Sequence, residues 1–375
     1  MPNLTNHTSN LAFCTALALS FGMTAQTATA AGTPSTLAIK DVSAFAENTV
    51  GFKAGSFILV PIPIENPAIG TGLALAGAYL FKTDKNSDQS FIGLSAFQTN
   101  NGSKGYGLAG ALSWADNKWK VSALAGEVDV VYDFYIPSTG GRTISLNQEG
   151  SMFYLGGKYE LKDRFFVGMR LRYLQTSIRF SKPVLPRPLY MELETVSFGP
   201  TIEWDYRDDT IYPTSGFHVV IGSMHSTVLN GADREYYKTS IKYDNYFPLF
   251  KNAVVATRLT ACEASDKTPF FELCSLGGSD NFRGFPFGQF LDQNLLSGQI
   301  EFRGRMTKRF GYAVFAGIGG VANGFGSFNS DTTEVAGGIG LRYRLSKGVP
   351  LDFAFDVAYN SKGETTTYIT IGQRF

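Results

Sequence analysis

Long stretches of alternating apolar and polar residues are the feature that most limits how this chain can fold. In residues 351–359, LDFAFDVAY, the odd positions are apolar and the even positions carry Asp or Ala. Residues 165–173 and 339–346 alternate in the same way. A period of two places successive side chains on opposite faces of a β-strand. The sequence therefore predicts a chain built from amphipathic strands.

Two all-β architectures produce this alternation: a soluble sandwich and a membrane barrel. Candidate strands such as 164–181 and 192–205 exceed the usual soluble strand of about 5–6 residues and reach the roughly 9–11 residues that a tilted membrane strand needs. Aromatic residues at strand ends are typical of the girdles of outer-membrane barrels; here they are Phe81, Trp114, Trp119, Phe134, Tyr135, Trp204, Tyr246, Phe247 and Phe375. We predict an all-β transmembrane antiparallel β-barrel.

The alternating segments give a count of fifteen strands, whereas single-chain bacterial barrels have even numbers. The predicted strands are 70–81, 90–99, 106–114, 118–132, 144–161, 164–181, 193–206, 216–228, 235–247, 252–263, 294–306, 311–321, 335–345, 351–359 and 366–375. A weaker segment, 56–64, would make sixteen, but its two prolines disfavour a central strand. We expect sixteen strands, with fourteen as the alternative.

The N-terminus has the pattern of an export signal. Residues 11–23, LAFCTALALSFGM, form an apolar run too short to span a bilayer as a helix, and Ala28-Thr29-Ala30 is a cleavage motif. The alternative, a buried N-terminal helix, is disfavoured by the poor helix formers that follow. We predict a signal peptide over 1–30, a short segment over 31–55 and a barrel over 56–375.

Two cysteines, Cys262 and Cys274, would remain after cleavage of that signal. Their close spacing in an exported protein indicates a possible disulfide, with two reduced cysteines as the alternative. Neither cysteine has a second cysteine pair or a histidine nearby, so we expect no metal site.

The charge balance and the histidine content exclude several function classes. Lys and Arg total 33 against 32 Asp and Glu, a net charge of +1, so nucleic acid is not an expected partner. His218 and His225 are the histidines of the processed chain, and their spacing on one strand directs them to opposite faces. Asp208 and Asp209 fall at a turn and are expected to be solvated. We expect no enzyme activity and no cofactor.

Charged residues on the polar faces should line the lumen, because a Lys or Arg facing lipid at mid-membrane costs about 2–4 kcal/mol. Strand parity assigns nine charged residues to the lumen: Arg170, Arg172, Glu203, Asp205, Glu301, Arg303, Arg305, Asp352 and Asp356. For most of them the simplest interpretation is a wet interior whose charges pair locally.

Two segments have more specific patterns. Residues 203–216, EWDYRDDTIYPTSG, place polar residues at a strand end and then a tight turn. Residues 276–288, LGGSDNFRGFPFG, surround the single cation Arg283 with aromatic rings, although glycine and proline indicate a loop.

These segments resemble motifs of the BamA/TamA surface-antigen family of outer-membrane assembly factors. Residues 205–216 resemble its hairpin motif, with Asp205, Arg207, Pro213 and Gly216 at the matching positions. Residues 277–285 resemble its loop motif, with Gly277, Gly278, Arg283, Gly284 and Phe285. The terminal ITIGQRF resembles its last strand, with Ile371, Gly372 and Phe375.

The resemblance implies a loop that folds back into the barrel, where Arg283 pairs with Glu301. A second acidic partner is usual in the family, but Gly317 occupies the matching position. Asp205 or Asp352 could take its place. Loss of a partner in such a buried pair costs about 3–5 kcal/mol.

The function implied is assembly or translocation of protein or lipid through a lateral gate between the first and last strands. The 31–55 segment is too short for the periplasmic polypeptide-transport-associated domains of the family, so the chain resembles a barrel-only member. The alternatives are a passive pore with the loop as a plug, or an anchoring barrel. The expected surroundings are a bilayer and lipopolysaccharide, and the expected partners are client or partner proteins.

Overall fold

The computed structural model describes residues 51–52, 55–66, 69–136, 142–180, 190–230, 234–250, 252–277, 282–344 and 352–374. The predicted signal peptide, most of the 31–55 segment, Gly278 and Phe375 lie outside the described residues. Within these ranges there is no helix of the length and apolarity required for a membrane span.

Sixteen strands form one antiparallel sheet in which neighbours in sequence are neighbours in space, except where a long connection intervenes between β11 and β14. The strands are β1 Ser56–Asn66, β2 Gly70–Phe81, β3 Ser90–Thr99, β4 Lys104–Trp114, β5 Trp119–Ile136, β6 Arg142–Lys162, β7 Phe165–Phe180, β8 Tyr190–Asp205, β9 Gly216–Val228, β10 Glu235–Phe250, β11 Ala253–Ala264, β14 Asn294–Arg305, β15 Phe310–Ala322, β16 Thr333–Arg344, β17 Asp352–Asn360 and β18 Thr365–Ile371. Two short strands of the connection, β12 Cys274–Leu276 and β13 Phe290–Asp292, pair only with each other.

The prediction of an all-β sheet of sixteen strands is confirmed. The weak segment is a true strand: β1 pairs with β2 along its whole length despite Pro61 and Pro63. Proline is tolerated there because β1 is an edge strand, where a missing N–H need not interrupt the ladder to its neighbour.

The last strand is shorter than predicted. β18 ends at Ile371, and Gly372 follows with a φ of +99°. That left-handed backbone favours glycine and turns the chain away from the sheet. Gln373 therefore hydrogen-bonds inside the barrel, with its amide 2.7 Å from Asp352 Oδ2.

The apolar face of the strands points outward. Leu108 and Ile339 are 61% and 66% exposed, as expected for side chains that contact lipid. Near the strand ends Trp114 and Trp119 stack with ring centroids 6.1 Å apart, in the manner of a girdle. Tyr246 is buried and packs inward, so its assignment to the girdle was wrong. Its parity is that of Asp244, which pairs with a buried arginine.

The sheet curls until its two edge strands lie side by side. Some Cα atoms of β1 and β18 are within 8 Å of each other, yet no backbone ladder joins the two strands in the described ranges. The sheet contains an even number of strands, so it begins and ends on one side. The long connection 265–293 lies on the opposite side. Long loops are extracellular and short turns periplasmic in outer-membrane barrels, so both ends of the sheet are periplasmic.

Candidate functional site

The described residues of the connection 265–293, which are 265–277 and 282–293, fold into the lumen as a short hairpin. β12 and β13 pair with each other, and a Cys262–Cys274 disulfide, with Cα atoms 5.8 Å apart, joins the hairpin to β11. Leu276, Phe282 and Phe285 have no exposed surface. We call residues 265–293 the inner loop. Leu276, Phe282 and Phe285 are buried because this part of the loop packs against the barrel wall rather than facing water.

Arg283 lies at the tip of the inner loop, between two carboxylates. Its Nη1 atom is 2.7 Å from Glu301 Oε2 and 3.1 Å from Asp356 Oδ2. Its guanidinium carbon lies 3.6 Å from the centroid of the Phe315 ring. All three charged side chains are at least 98% buried. The tip is thus positioned by charge pairing and by a cation–π contact in the absence of bulk water.

The second acidic partner is Asp356, and the alternatives Asp205 and Asp352 were wrong. Asp352 lies nearer the periplasmic end of the same strand, where it pairs with Arg305 and Arg344. Asp205 pairs with Arg207 of its own turn instead.

Gly317 lacks an acid because the inner loop occupies the space next to it. A Cβ atom at this position would lie 2.7 Å from Cε2 of Phe282. A carboxylate side chain would therefore displace the buried ring, and the acid is supplied from β17 instead.

The ion pairs continue along the wall of β14, β16 and β17. Glu301 Oε1 is 3.3 Å from Arg303 Nη1, and Glu301 Oε2 is 3.6 Å from Arg342 Nη2. Arg342 also hydrogen-bonds Asp356. Three arginines and two acids thus form one buried network, which we call the arginine network (Arg283, Glu301, Arg303, Arg342, Asp356). Because Glu301 pairs with all three arginines and Asp356 with two of them, removal of either acid would leave uncompensated buried cations.

Gly284 bonds the inner loop to the last two strands. Its N–H donates to Tyr368 Oη at 2.8 Å. Its carbonyl accepts from Asn360 Nδ2 at 2.8 Å and from Thr366 Oγ1 at 3.1 Å. Its φ is +113°, and a Cβ atom would lie 2.4 Å from Cβ of Ala336, so glycine is required on both counts.

The hairpin motif forms the periplasmic turn between β8 and β9. Arg207 donates to both carboxylate oxygens of Asp205, at 2.8 and 2.6 Å. Gly216 has a φ of +92°, and a Cβ atom there would lie 2.0 Å from the carbonyl oxygen of Tyr206. The motif residues therefore shape the turn itself.

Asp208 is exposed, as predicted, and its carboxylate caps this turn. Its Oδ1 accepts the N–H groups of Thr214 at 2.8 Å and Ser215 at 3.1 Å. Burial raises the pKa of Asp208, but the hydrogen bonds from the turn outweigh it and hold the pKa below its ordinary value.

The same turn enters the periplasmic mouth of the lumen and meets the arginine network. The Pro213 carbonyl accepts from Arg303 Nη2 at 2.6 Å. The Tyr212 ring centroid lies 5.1 Å from the guanidinium carbon of Arg303 and 4.8 Å from that of Arg305. Glu301 and Arg303 share one face of β14, so a single strand connects the inner loop to the periplasmic turn.

On the opposite wall the inner loop has a second attachment at Glu272. Arg172 Nη2 and Tyr236 Oη donate to Glu272 Oε2 at 2.8 and 3.2 Å. Lys238 Nζ donates to the carbonyls of Glu272 and Leu273 at 2.8 and 3.1 Å. The loop therefore spans the lumen from β7 and β10 to β14–β18.

An apolar cluster fills the extracellular half of the lumen beside this attachment. Its members lie toward the extracellular ends of β1, β2 and β5–β8, together with one ring of the inner loop. They are Ile62, Ile64, Ile69, Ala74, Val130, Tyr132, Leu146, Ile178, Leu193 and Phe271. We call this set the apolar cluster. These buried side chains therefore fill part of the lumen at that end.

The remaining candidates occupy the positions that parity predicted. The nine charged residues assigned to the lumen are buried or half-buried. His218 Nε2 lies 3.3 Å from Glu203 Oε1, whereas His225 is exposed beside Glu235. Ligand atoms of Glu203, Asp205 and His218 lie within 4.8 Å of one another. Lysine and arginine side chains already pair with both carboxylates, however, so this group is an ion cluster of the wall.

Several site residues were not identified from the sequence. Asp356 and Arg342 were placed on polar faces but not in a network, and Tyr212 and Tyr368 carried no signal beyond their aromatic character. The spacing of Arg342 and Asp356 across a hairpin could have indicated them: Asp356 lies opposite Gly340 in the β16–β17 register, so Arg342 is its diagonal neighbour on the same face.

Comparison with known proteins agrees with this geometry. Residues 99–375 match the Omp85 superfamily domain. The chain belongs to the Omp85 superfamily. This is a family of outer-membrane transport and assembly barrels, so the protein resides in the bacterial outer membrane. No curated protein sequence matches it significantly.

Solved structures share the fold of this Omp85 barrel. BamA of Haemophilus ducreyi lacking POTRA domains 1–3 is 16% identical, with a TM-score of 0.55, over 85% of this chain and 69% of that one. CdiB of Acinetobacter baumannii is 11% identical, with a TM-score of 0.57, over 92% and 72%. CdiB of Escherichia coli is 13% identical, with a TM-score of 0.54, over 84% and 62%. The present chain therefore spans less than two thirds of the E. coli protein.

Proposed function

We propose that this Omp85 barrel assembles or translocates protein or lipid at the outer membrane by opening between β1 and β18. The observation that carries this proposal is the seam between those strands. They lie next to each other, but no ladder of backbone hydrogen bonds joins them in the described part of the chain. Each hydrogen bond of a ladder contributes about 0.5–1.5 kcal/mol net. Because the seam has no such ladder among the described residues, separating β1 from β18 costs less free energy than separating two strands that are hydrogen-bonded along their length.

The two strands at the seam are also weak for reasons of their own. β18 has 7 residues and β6 has 21. Pro61 and Pro63 have no backbone N–H, so β1 lacks a hydrogen-bond donor at two positions. β1 nevertheless pairs with β2 along its whole length, as expected if both missing donors are on the edge of β1 that faces the seam. Closure of the seam is therefore limited by the sequence of β1.

The inner loop supports the proposal because it bonds β18 directly. Tyr368 and Thr366, both on β18, contact Gly284 next to Arg283. A shift of the loop tip would remove side-chain contacts that hold β18 in place. The arginine network would then control the seam through the loop.

The filled lumen favours gating at the seam over a passive pore. The apolar cluster occupies the extracellular half, and the periplasmic turn enters the other mouth. We expect planar-bilayer recordings to show no large steady conductance. A stable open pore would instead support the passive channel with the loop as its plug.

A cysteine pair that bridges β1 and β18 tests the proposal. The locked barrel, reconstituted in vesicles, should lose the ability to promote insertion of an unfolded outer-membrane protein, and a reductant should restore it. The matched control is a Leu75→Cys, Ala96→Cys pair, which joins strands already paired in register. If the barrel with β1 and β18 cross-linked promoted insertion as fully as the cross-linked control does, the lateral gate would be refuted.

A further inference from the structure

A pocket opens at the periplasmic mouth, apart from the arginine network and the seam. Its volume is about 520 Å³, and it lies between the periplasmic turn, the end of β10 and the β14–β15 turn. Three cations line it: Arg305, Lys308 and Arg344. Such a concentration of positive charge inside a concave site is suited to an anion.

The acids nearby neutralise these cations only in part. Arg305 and Arg344 share one carboxylate, that of Asp352, which lies 2.7 Å from Arg344 Nε. Asp208 directs its carboxylate at backbone N–H groups of its own turn. With Lys308 included, the pocket therefore has an excess of positive charge.

One guanidinium nitrogen of Arg305, a residue that lines the pocket, is already desolvated. Arg305 Nη1 is buried and has no hydrogen-bond partner among the described residues. A buried donor without an acceptor costs about 1–3 kcal/mol, so an anionic oxygen bound here would gain a hydrogen bond at little further desolvation cost.

The outer rim of the pocket is apolar and faces the bilayer. Phe250 and Met306 line the pocket and are 70% and 59% exposed. They continue the apolar outer surface at the level where the strands end. A ligand with an anionic group in the pocket could therefore keep an attached hydrocarbon chain in lipid.

We infer that this pocket binds the phosphate of an anionic phospholipid from the periplasmic leaflet. The phosphate contacts Arg305, Arg344 and Lys308, and the acyl chains pass over Phe250 and Met306. The site gives the barrel a fixed lipid at the rim between β10 and β14, several strands away from the seam. Because it does not involve β1 or β18, it persists in a barrel whose seam is locked.

Native mass spectrometry of the purified full chain in detergent tests this inference. Phosphatidylglycerol and phosphatidylcholine with identical acyl chains are titrated separately, and inorganic phosphate is added in a third arm. We expect one phosphatidylglycerol to be retained preferentially. Lys308→Gln should weaken its retention about fivefold, the effect of one basic residue near a membrane surface.

Arg309→Gln is the matched control, because it removes the same charge from the same turn. Arg309 donates to Tyr343 Oη and does not line the pocket. The Arg309→Gln variant should therefore retain phosphatidylglycerol as well as the parent protein does. Equal retention of the two lipids, or equal effects of the two variants, would overturn the inference. Inorganic phosphate that binds as tightly as phosphatidylglycerol would identify a free anion and overturn the lipid assignment.

Discussion

The two ends of the sheet fill the lumen by different physical means. β1, β2 and β5–β8 contribute the apolar cluster, whereas β14, β16 and β17 contribute the arginine network. Apolar burial is non-directional and tolerates small shifts. A buried ion network is stable only in one arrangement, because each displaced charge loses its partners. The first half therefore supplies bulk stability, and the second half fixes the tip of the inner loop at Arg283.

Of the substitutions that test this difference, Glu301→Ala should destabilise the protein most, because three buried arginines lose a shared carboxylate. We expect a loss of about 3–5 kcal/mol in the free energy of unfolding. Limited proteolysis should also cut the inner loop faster. Unchanged heat-modifiability together with unchanged loop proteolysis would contradict the assigned role of Glu301.

Ile64→Ala should cost about 2–4 kcal/mol, since Ile64 is fully buried in the apolar cluster. The inner-loop tip should keep its protection from protease, because the contacts that hold it come from β14, β17 and β18. Urea unfolding in a bilayer of fixed composition measures the first effect. Exposure of the loop tip comparable to that in Glu301→Ala would show that the two regions are not separate.

Tyr368→Phe should have the smallest effect, about 1 kcal/mol, because it removes one hydrogen bond to Gly284 and leaves a buried N–H without its partner. The ring and its packing remain. We expect cysteines placed on β1 and β18 to cross-link at a changed rate, with overall stability nearly the same. Identical cross-linking rates in the variant and the parent would show that Tyr368 does not hold β18 at the seam.

The sequence predicted the strands well because alternation is a local property. The bounds of β2, β3 and β9 agree with the predicted intervals, and parity assigned the lumen charges correctly. The end of β18 was missed because a terminal alternating pattern does not show where a single glycine turns the chain inward. Tyr246 was misplaced because strand ends were chosen by aromatic content and not by parity with Asp244.

The site was only partly predictable because its partners come from distant strands. The contact between Arg283 and Glu301 followed from motif resemblance. The choice of Asp356 depends on how β14 to β17 are staggered and on the space that Phe282 takes beside Gly317. The entry of Tyr212 into the lumen depends on the fold of a turn that has no period. These are three-dimensional properties that residue spacing does not encode.

The central claim is that the arginine network holds the inner loop and, through it, β18. Native-state hydrogen exchange of the parent and of Glu301→Ala tests it most directly, with β18 and β6 followed in the same sample. We predict faster exchange in residues 365–371 of the variant, with β6 unchanged relative to the parent. Unchanged exchange in β18, or an equal increase in both strands, would contradict the claim.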